Sequence, residues 1–432
     1  MNAGREGKRR AIRAALCGAA LSGLVALAMF AAVPAAQATA IKEFRLPAGS
    51  DPLGITHGPG LALWFTDAGS THAIGRISSQ GVIKEFKNGF TSAAAPSDIT
   101  LGQDGNMWFT ASGSPPNAIG RVTTKGVIKE FVGGASGLDL DAAPSSITAG
   151  PGGNLWFLDN GNPRAIGRVT PKGVIKEFTG PLDQNSDLED LTAGPDGNMW
   201  FTDRGNTRAI GRVTPNGTIT EFTGTLDQMN SMPNSITREG GKLWFTDEGS
   251  PGALGRVSPS SPNSLKEFTA GLQNSAVPDG TTAGSGGNVW FEDNFGLHRA
   301  LGRITPQGAI KEFHKHLGAG LQDDIKRGPD GNVWVEQSMP GGIARVTPAG
   351  VITQFTKGLL SGAGSDGDQL VSGHDGNLWF TDRGARAIGR VALGLPPAAR
   401  TGSADLSGSS AAGGFAGPDW WAPLAGRGRR FG

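Results

Sequence analysis

The chain has 432 residues, among them 70 glycines, one cysteine and no tyrosine, and its 39 basic residues nearly balance its 38 acidic ones. A hydrophobic share of 37% with 18% charged residues excludes a disordered chain, and the glycines lack the every-third-residue spacing of collagen. Nucleic acid is excluded as a predicted partner, because its binding needs a basic excess that this chain lacks. A turn-rich, all-β globular protein remains.

Residues 1–40 have the pattern of a secretory signal peptide. Five basic residues precede an uncharged stretch over residues 14–36, and an A-x-A arrangement ends at Ala40. This pattern predicts export to the periplasm or the cell exterior, with cleavage near Ala40 and no transmembrane span afterwards. A retained membrane anchor is the alternative, because the apolar stretch approaches the length that spans a bilayer. The only cysteine, Cys17, lies in this segment, so the mature chain is predicted to have no disulfide.

Residues 41–392 consist of one unit repeated eight times. The clearest copy, over residues 146–178, has four β-like runs joined by turn sequences of the Asp-Gly and Pro-x-Gly kinds. A period of 40 to 50 residues with four strands is typical of a β-propeller and is less typical of a solenoid. Each unit has one tryptophan in the same place: Trp64, Trp108, Trp156, Trp200, Trp244, Trp290, Trp334 and Trp379.

The fourth strands indicate how the ring closes. Seven units end in a fourth strand of the VIKEF type, whereas the eighth stops at Val391 without one. The missing copy, IKEF, stands at residues 41–44, at the start of the body. We therefore predict an eight-bladed β-propeller with four antiparallel strands per blade, in which the N-terminal strand pairs with the last repeat and removes the open sheet edge. Residues 393–432 are rich in Gly, Ala, Ser and Pro and are predicted to be a disordered, low-complexity tail.

The repeated phrases resemble those of a known family. Phrases of the form GPDGNxWFTD, AIGRVTP and GxIKEF are similar to those of the streptogramin B lyases, the virginiamycin B lyase family, over about 350 residues. The characterised lyases are similar to seven-bladed propellers, whereas this chain has eight units. The resemblance implies opening of a cyclic peptide lactone by elimination at its ester, with a general base and Mg²⁺.

The catalytic histidines of that family stand near the start of first strands, in segments similar to PHGI. The eight corresponding segments of this chain, such as PLGI at Pro52 and PSDI at Pro96, contain no histidine. No catalytic residue is therefore carried over from the family.

The repeat also predicts where a site should lie. The connections from fourth to first strands and from second to third strands emerge on one face of the ring, which we call the variable face because it holds nearly all the variation in loop length. Function usually resides in variable loops on a rigid scaffold. Many carboxylates stand there, at the starts of the first strands: Asp51, Asp98, Glu189, Asp190, Asp279, Asp323, Asp324, Asp366 and Asp368.

These carboxylates provide the predicted metal and ligand positions. We assign Glu189, Asp190, Asp323 and Asp324 to a Mg²⁺ or Ca²⁺ ion, because both ions prefer oxygen ligands. Asp98 and Asp279, together with His298, are assigned to ligand contacts. The alternative is that the carboxylates are solvated residues of turns and strand starts.

Units six and seven depart from the repeat in residues that can carry chemistry. Glu292 and Glu336 replace the usual Thr of WFTD, and His314 and His316 fall in or next to variable-face loops. The predicted catalytic set is His314, His316, Glu292 and Glu336, since histidine and glutamate can act as general bases. Ordinary loop histidines are the alternative. Three further histidines are His57 in a first strand, His72 in a variable-face loop, and His374 in a turn on the opposite face, where a structural role is expected.

Residues that recur in nearly every unit are interpreted as structural. The arginines of the IGR phrases and the glutamates of the KEF phrases are expected to serve packing and charge pairing between blades. The chain has no CxxC, HExxH, GxSxG or P-loop motif. No organic cofactor is therefore predicted.

The sequence supports three functional hypotheses. The first is an exported, monomeric lyase-like propeller, a Mg²⁺-dependent C–O lyase that acts on a small cyclic peptide at the mouth of the central channel. The second is a non-catalytic propeller of the cell envelope that binds a ligand or a protein. The third is a metal-dependent lactonase, which the acidic strand starts leave open.

Overall fold

A computed structural model describes residues 40–397, except 71, 135, 295–298, 316, 318–319, 340 and 361–368. The side chains of residues 320–323 and 338–339 are also outside the description. Several predicted features therefore lie outside the described residues: nearly all of the signal peptide, most of the tail, His298, His316, the Asp323 side chain, Asp366 and Asp368. No helix in the described part of the chain is long and apolar enough to cross a bilayer.

The first four blades follow one another along the chain, each with four antiparallel strands in sequence order. Strand β1 (Ile41–Arg45) precedes them. Blade 1 comprises β2 (Pro52–His57), β3 (Leu63–Asp67), β4 (Ala73–Ile77) and β5 (Ile83–Phe86). Blade 2 comprises β6 (Ala95–Leu101), β7 (Met107–Ser112), β8 (Ala118–Val122) and β9 (Ile128–Val132). Blade 3 comprises β10 (Pro144–Ala149), β11 (Leu155–Asp159), β12 (Ala165–Val169) and β13 (Ile175–Phe178), and blade 4 comprises β14 (Leu188–Ala193), β15 (Met199–Asp203), β16 (Ala209–Val213) and β17 (Ile219–Phe222).

The next three blades repeat this order. Blade 5 comprises β18 (Pro233–Glu239), β19 (Lys242–Asp247), β20 (Ala253–Ser258) and β21 (Ser261–Phe268). Blade 6 comprises β22 (Pro278–Ala283), β23 (Val289–Asp293), β24 (Ala300–Ile304) and β25 (Ile310–Phe313). Blade 7 comprises β26 (Gly320–Arg327), β27 (Val333–Met339), β28 (Gly341–Val346) and β29 (Ile352–Phe355). Short 3-10 turns, Pro151–Gly153 and Ser285–Gly287, stand between the first and second strands of blades 3 and 6.

Blade 8 is completed by the start of the body. It comprises β30 (Leu370–Ser372), β31 (Leu378–Asp382) and β32 (Ala387–Val391), and β1 pairs antiparallel with β32 from Ile41↔Val391 to Arg45↔Ala387. The first strands of neighbouring blades contact one another all the way round, including β30 with β2. The predicted eight-bladed propeller, closed by its N-terminal strand, is therefore confirmed.

Aromatic residues pack within and between the blades, as blade 3 illustrates. The rings of Trp156 and Phe178 stack with their centroids 5.9 Å apart, and both rings join the buried core of blade 4. The Arg168 guanidinium lies over the two rings, and its Nη1 donates a 2.5 Å hydrogen bond to the carbonyl of Pro215 in the next blade. The repeated arginine thus packs one blade against the next.

A close approach explains the glycine of each IGR phrase. In blade 3 a Cβ on Gly167 would lie 2.0 Å from Cζ of Phe157, its partner across the sheet. This is far inside van der Waals contact, so glycine is required beside the phenylalanine. In blade 7 both residues differ, because Val335 stands opposite Ala344 at the same register. The smaller valine leaves room for the extra methyl group.

Candidate functional site

The variable-face ends of the first strands hold two successive side-chain positions with different roles. The strand register is irregular there, as it is between Pro96 and Ile99 of blade 2. The second position, directly before the core residue, holds Asp98, Asp190 and Asp324 in blades 2, 4 and 7. The position before it holds Glu189 in blade 4 and Asp279 in blade 6.

Side chains at the second position link neighbouring blades. Asp98 Oδ2 accepts a 2.7 Å hydrogen bond from Ile147 N of the next first strand, and Asp190 Oδ2 accepts one of 2.8 Å from Ile236 N. Asp324 Oδ2 accepts in the same way from the first strand of blade 8. Burial raises the pKa of Asp190 to about 7, against the lowering effect of its amide donors. Three of the predicted site carboxylates therefore take part in the ring's own hydrogen bonding.

Side chains at the first position interact instead with residues that follow the second strands. Blades 4, 5 and 6 contribute a connected polar group at the variable-face end of the first strands, which we call the mouth network. It comprises Asp187, Glu189, Arg204, Asn234, Glu248, Asp279 and Asn294.

Arg204 forms the blade 4 part of the mouth network. Its Nε lies 2.9 Å from Asp187 Oδ2 and its Nη2 lies 2.6 Å from Glu189 Oε1. Its Nη1 lies 4.0 Å from Oε2 of Glu248, which belongs to blade 5. One guanidinium thus stands among three carboxylates.

Two asparagines carry the network on to blade 6. Asn234 Nδ2 donates to Glu248 Oε1 and also, over 2.8 Å, to Asp279 Oδ1. Asn294 Nδ2 donates to Asp279 Oδ2 over 3.1 Å. The amides fix the orientation of both carboxyl groups across the boundary between the blades.

Asp51, another of the predicted carboxylates, forms an ion pair outside the mouth network. Its two carboxylate oxygens accept from Nε and Nη2 of Arg383, over 2.7 Å and 3.0 Å. Arg383 follows the second strand of blade 8, as Arg204 does in blade 4. This pair therefore links blade 8 to the start of blade 1.

The mouth network holds a carboxyl group that titrates near neutrality. Burial raises the pKa of Glu248 to about 7, and the charge of Asp279 adds to this rise, while the Asn234 hydrogen bond and the Arg204 charge oppose it. Burial also raises the pKa of Glu189, although Arg204 lowers it. The side chains of Glu248, Glu189 and Arg204 remain 17%, 25% and 30% exposed, so a ligand can reach them.

This arrangement can remove a proton and stabilise a negative charge. A carboxylate whose pKa lies near 7 is an efficient general base at neutral pH. Two nitrogens of the Arg204 guanidinium are paired with Asp187 and Glu189, while Nη1 lies 4.0 Å from Glu248 and is the nitrogen placed to donate to a developing oxyanion.

The predicted Mg²⁺ or Ca²⁺ ion requires carboxylates that converge and have no other cation beside them. Within the described residues no group of three or more His, Cys, Asp or Glu side chains is arranged to hold a metal ion. Arg204 stands among the mouth carboxylates, and Asp324 Oδ1 lies 3.0 Å from Lys326 Nζ, so both sets already have a cation. The described side chains therefore do not by themselves fit a metal. The metal stays a prediction for Glu189, Asp190, Asp323 and Asp324, and the Asp323 side chain is outside the description.

Of the four predicted catalytic residues, two lie on separate strands, one follows a strand, and His316 is outside the described residues. Glu292 on β23 and Glu336 on β27 are buried. They occupy the position that Thr66 has in blade 1. The Thr66 hydroxyl accepts a hydrogen bond from Gly54 N and donates one to the carbonyl of Ser97 in the next blade. His314 follows the fourth strand of blade 6, is 50% exposed, and has its Nε2 4.0 Å from Glu312 Oε2.

The other histidines also have defined neighbours. The rings of His57 and His374 lie 4.7 Å apart, and His374 Nδ1 is 3.1 Å from the carbonyl of Gly60. These contacts join blades 1 and 8 on the face opposite the variable one. His72 lies beside the ring of Phe90, with a centroid distance of 6.5 Å.

Sequence reasoning found Glu189 and Asp279 but missed Arg204, Asn234 and Glu248. The sequence does contain a signal for Arg204 and Glu248, namely variation at one position of the repeat. The residue that follows WFTD is Ala68 in blade 1, Arg204 in blade 4 and Glu248 in blade 5. A position that packing leaves free to vary among repeats is open to function.

The fold and the mouth network together define an eight-bladed β-propeller with a polar site at one end of its first strands. The profile of the virginiamycin B lyase family matches residues 35–184 and 136–320. The chain therefore belongs to the virginiamycin B lyase family.

Solved structures agree with this assignment. A catalytically inactive virginiamycin B lyase from Staphylococcus aureus with quinupristin is 28% identical, with a TM-score of 0.55, over 81% of this chain and 98% of that one. A streptogramin B lyase structure is also 28% identical, with a TM-score of 0.56, over 73% of this chain and 97% of that one. No curated protein matches the chain by sequence.

Proposed function

We propose that the protein is a lyase that opens a cyclic peptide lactone by elimination at its ester, with the mouth network as its active site. The observation that carries this proposal is the placement of Glu248, a carboxyl group with a pKa of about 7, beside the Arg204 guanidinium. Family membership and the quinupristin complex of a related lyase support the substrate class.

In the proposed reaction the Glu248 carboxylate takes the proton from a carbon next to a carbonyl group. The electron pair of that C–H bond forms a carbon–carbon double bond, and the neighbouring C–O bond of the ester breaks. The ester leaves as a carboxylate, so the product is linear and has the mass of the substrate. Arg204 stabilises the negative charge that develops on the carbonyl oxygen, and Asn234 holds Glu248 in position.

Incubation with quinupristin, followed by chromatography with mass detection, tests this function directly. The expected product is linear and of unchanged mass, and addition of Mg²⁺ or of a chelator shows whether a metal contributes. A product heavier by one water identifies a hydrolase of the lactonase kind and overturns the elimination.

Variants of two glutamates in blade 5 test the role of the mouth network. Glu248→Gln should reduce turnover by about 100-fold or more, because it removes the base while keeping the side-chain shape. Glu239→Gln is the matched control, because Glu239 ends β18 on the opposite face of the same blade. Equal turnover in the two variants would contradict the assignment of Glu248.

A non-catalytic binding propeller is the second candidate. It is favoured by the first-strand starts, none of which has the histidine of the family segment. Calorimetric titration with quinupristin separates the two candidates, since binding without any product supports the binding protein and contradicts the lyase.

We further propose that the protein acts outside the cytoplasm as a monomer. The signal-peptide pattern of residues 1–40 supports export. Cell fractionation tests the location, and light scattering of the purified protein tests the monomer.

A further inference from the structure

A second set of carboxyl groups lies between the second and fourth strands, next to the mouth network in blades 4, 5 and 6. In blade 3, Asp159 on β11 and Glu177 on β13 reach each other over β12, where their neighbours are the small Ala165 and Gly167. In the described part of the chain, six blades place a Glu and an Asp at these two positions. In five of them the two side chains hydrogen bond to each other: Glu43–Asp382, Glu177–Asp159, Glu221–Asp203, Glu267–Asp247 and Glu312–Asp293. The sixth is Glu85–Asp67 of blade 1, where Lys87 Nζ lies 2.9 Å from Glu85 Oε2.

The outer oxygens of each pair hold variable-face loops, as blade 3 shows. Asp159 Oδ1 accepts from Ala143 N over 2.6 Å and from Gly161 N over 2.8 Å. Glu177 Oε2 accepts from Asp139 N over 2.7 Å. One pair thus fastens both the loop that enters blade 3 and the loop between its second and third strands.

The inner oxygens of the pair face each other. Among the described residues, buried Glu177 Oε1 and Asp159 Oδ2 have no other hydrogen-bond donor. Two carboxylate oxygens can hydrogen bond only if one of them carries a proton. Because Asp159 Oδ1 already accepts two amide hydrogen bonds, the proton belongs on Glu177.

We propose that these five Glu–Asp pairs are a proton-dependent fastening that holds the variable-face loops and releases them when the shared protons are lost. In blades 4 and 5 the fastened backbone lies beside the mouth network, since Asp203 Oδ1 accepts from Asp187 N and Asp247 Oδ1 accepts from Met232 N. The fastening therefore acts on the loops around the mouth network, whatever reaction occurs there.

The charged surroundings of the pairs are largely acidic. Besides its partner, each glutamate has a further charged or titratable neighbour: Arg45 for Glu43, Asp139 for Glu177, Asp183 for Glu221, Asp227 for Glu267 and His314 for Glu312. Three of the five neighbours are therefore aspartates, which oppose a second negative charge in the pair. In those three pairs the further neighbour adds a negative charge, so a shared proton is what relieves the repulsion between the two carboxyl groups.

Burial gives these glutamates a high affinity for the proton. It is the main cause that raises the pKa of Glu43, Glu177, Glu221 and Glu267 to about 8 and that of Glu312 to about 7. The folded-state pKa lies above the ordinary value of 4.5, so the folded chain binds these protons more tightly than the unfolded chain. The stabilisation is complete below about pH 4.5 and is lost progressively as the pH rises to about 8.

The test is chemical unfolding of the purified protein at a series of pH values. The logarithm of the unfolding constant should rise with pH between about 5 and 8, because the folded chain holds more protons. Glu177→Gln should keep the hydrogen bond, since its amide donates permanently, and should lower the slope by about one proton. Substituting all five glutamates by glutamine should lower it by about five protons. The part that remains comes from other carboxyl groups whose pKa is raised on folding, such as Glu189, Asp190, Glu239 and Glu248. A slope that all these variants leave unchanged, or its absence in the native chain, overturns the proposal.

Glu130 provides the matched control. Blade 2 has Ala111 in place of the aspartate, and the Glu130 carboxylate accepts hydrogen bonds from Thr91 N and Ser92 N. Because this glutamate has no carboxyl partner at that position, Glu130→Gln should leave the slope unchanged.

Amide exchange gives a local reading that does not depend on global unfolding. At pH 8.5 the protection factors of the Asp139 and Ala143 amides should be higher in Glu177→Gln than in the native chain, because the variant keeps the fastening without a proton. Equal protection in the two proteins contradicts the fastening.

Discussion

Gln354 donates a hydrogen bond from Nε2 to Gln337 Oε1 over 2.8 Å, at the two positions of blade 7 that Glu177 and Asp159 occupy in blade 3. An amide pair makes this link at every pH, because neither group titrates. Blade 7 therefore contains a natural counterpart of the glutamine variants and shows that the position accepts a neutral pair.

The blade 7 pair can be converted into a titrating one. The double substitution Gln337→Asp with Gln354→Glu should leave the thermal midpoint near pH 5 almost unchanged and lower it at pH 9, because the new pair requires a proton. Thermal unfolding at the two pH values measures this. The single change Gln354→Glu, which keeps the Gln337 amide as a donor, is the control and should show a smaller alkaline loss.

The pH profile of turnover should depend on Asp279. A general base acts in its deprotonated form, so activity should rise with pH through about 7, the pKa of Glu248. The charge of Asp279 helps to raise this pKa, and Asp279→Asn should therefore move the rising limb to lower pH. A pH series of initial rates with quinupristin measures the shift. An unmoved limb would show that a group other than Glu248 is the base.

The Gly167 and Phe157 pair should show strong coupling. Gly167→Ala should destabilise the protein by about 1–3 kcal/mol, because the new methyl group collides with the Phe157 ring. Adding Phe157→Val reproduces the Val335 and Ala344 combination of blade 7. Urea unfolding of both single variants and the double variant should give a coupling energy of about 1 kcal/mol or more. If the effects of the two single variants simply add in the double variant, the Phe157 ring moves aside without cost.

Ring closure should depend on the first strand of the body. Deletion of residues 41–46 removes the whole β1–β32 pairing and the stack of Phe44 on Trp379, whose centroids are 5.8 Å apart. We expect the free energy of unfolding to fall by at least about 4 kcal/mol, since removal of one large buried aromatic side chain destabilises a protein by about that much. Differential scanning calorimetry measures it. Phe44→Leu keeps an apolar side chain and should cost much less, and an unchanged midpoint in the deletion would contradict closure by β1.

The fold is predictable from the sequence because the same packing contacts recur in each blade. Examples are the turn glycines, the stacked Trp156 and Phe178, and the fourth strand at residues 41–44. Each belongs to a set of equivalent residues that is visible as a repeat in the sequence. The mouth network is different. Arg204 and Glu248 approach each other across the boundary between blades 4 and 5. The spacing of residues along the chain does not reveal a contact of that kind.

The predicted carboxylates divide between two roles for a similar reason. Asp98 and Asp190 stand at strand starts in the sequence, but a local irregularity in the strand turns them toward the amide groups of the next blade. Glu189 and Asp279, at the position before these, join the mouth network instead. A difference of one residue in an irregular strand decides the role and cannot be read from composition or period.

The pairing of Ile41 with Val391 joins the first and the last strand of the body. A fragment that stops before β32 therefore leaves β1 without its partner strand. Such a fragment has a free sheet edge at each end, and a free edge invites pairing with another chain. Closure of the ring is available only to a full-length body.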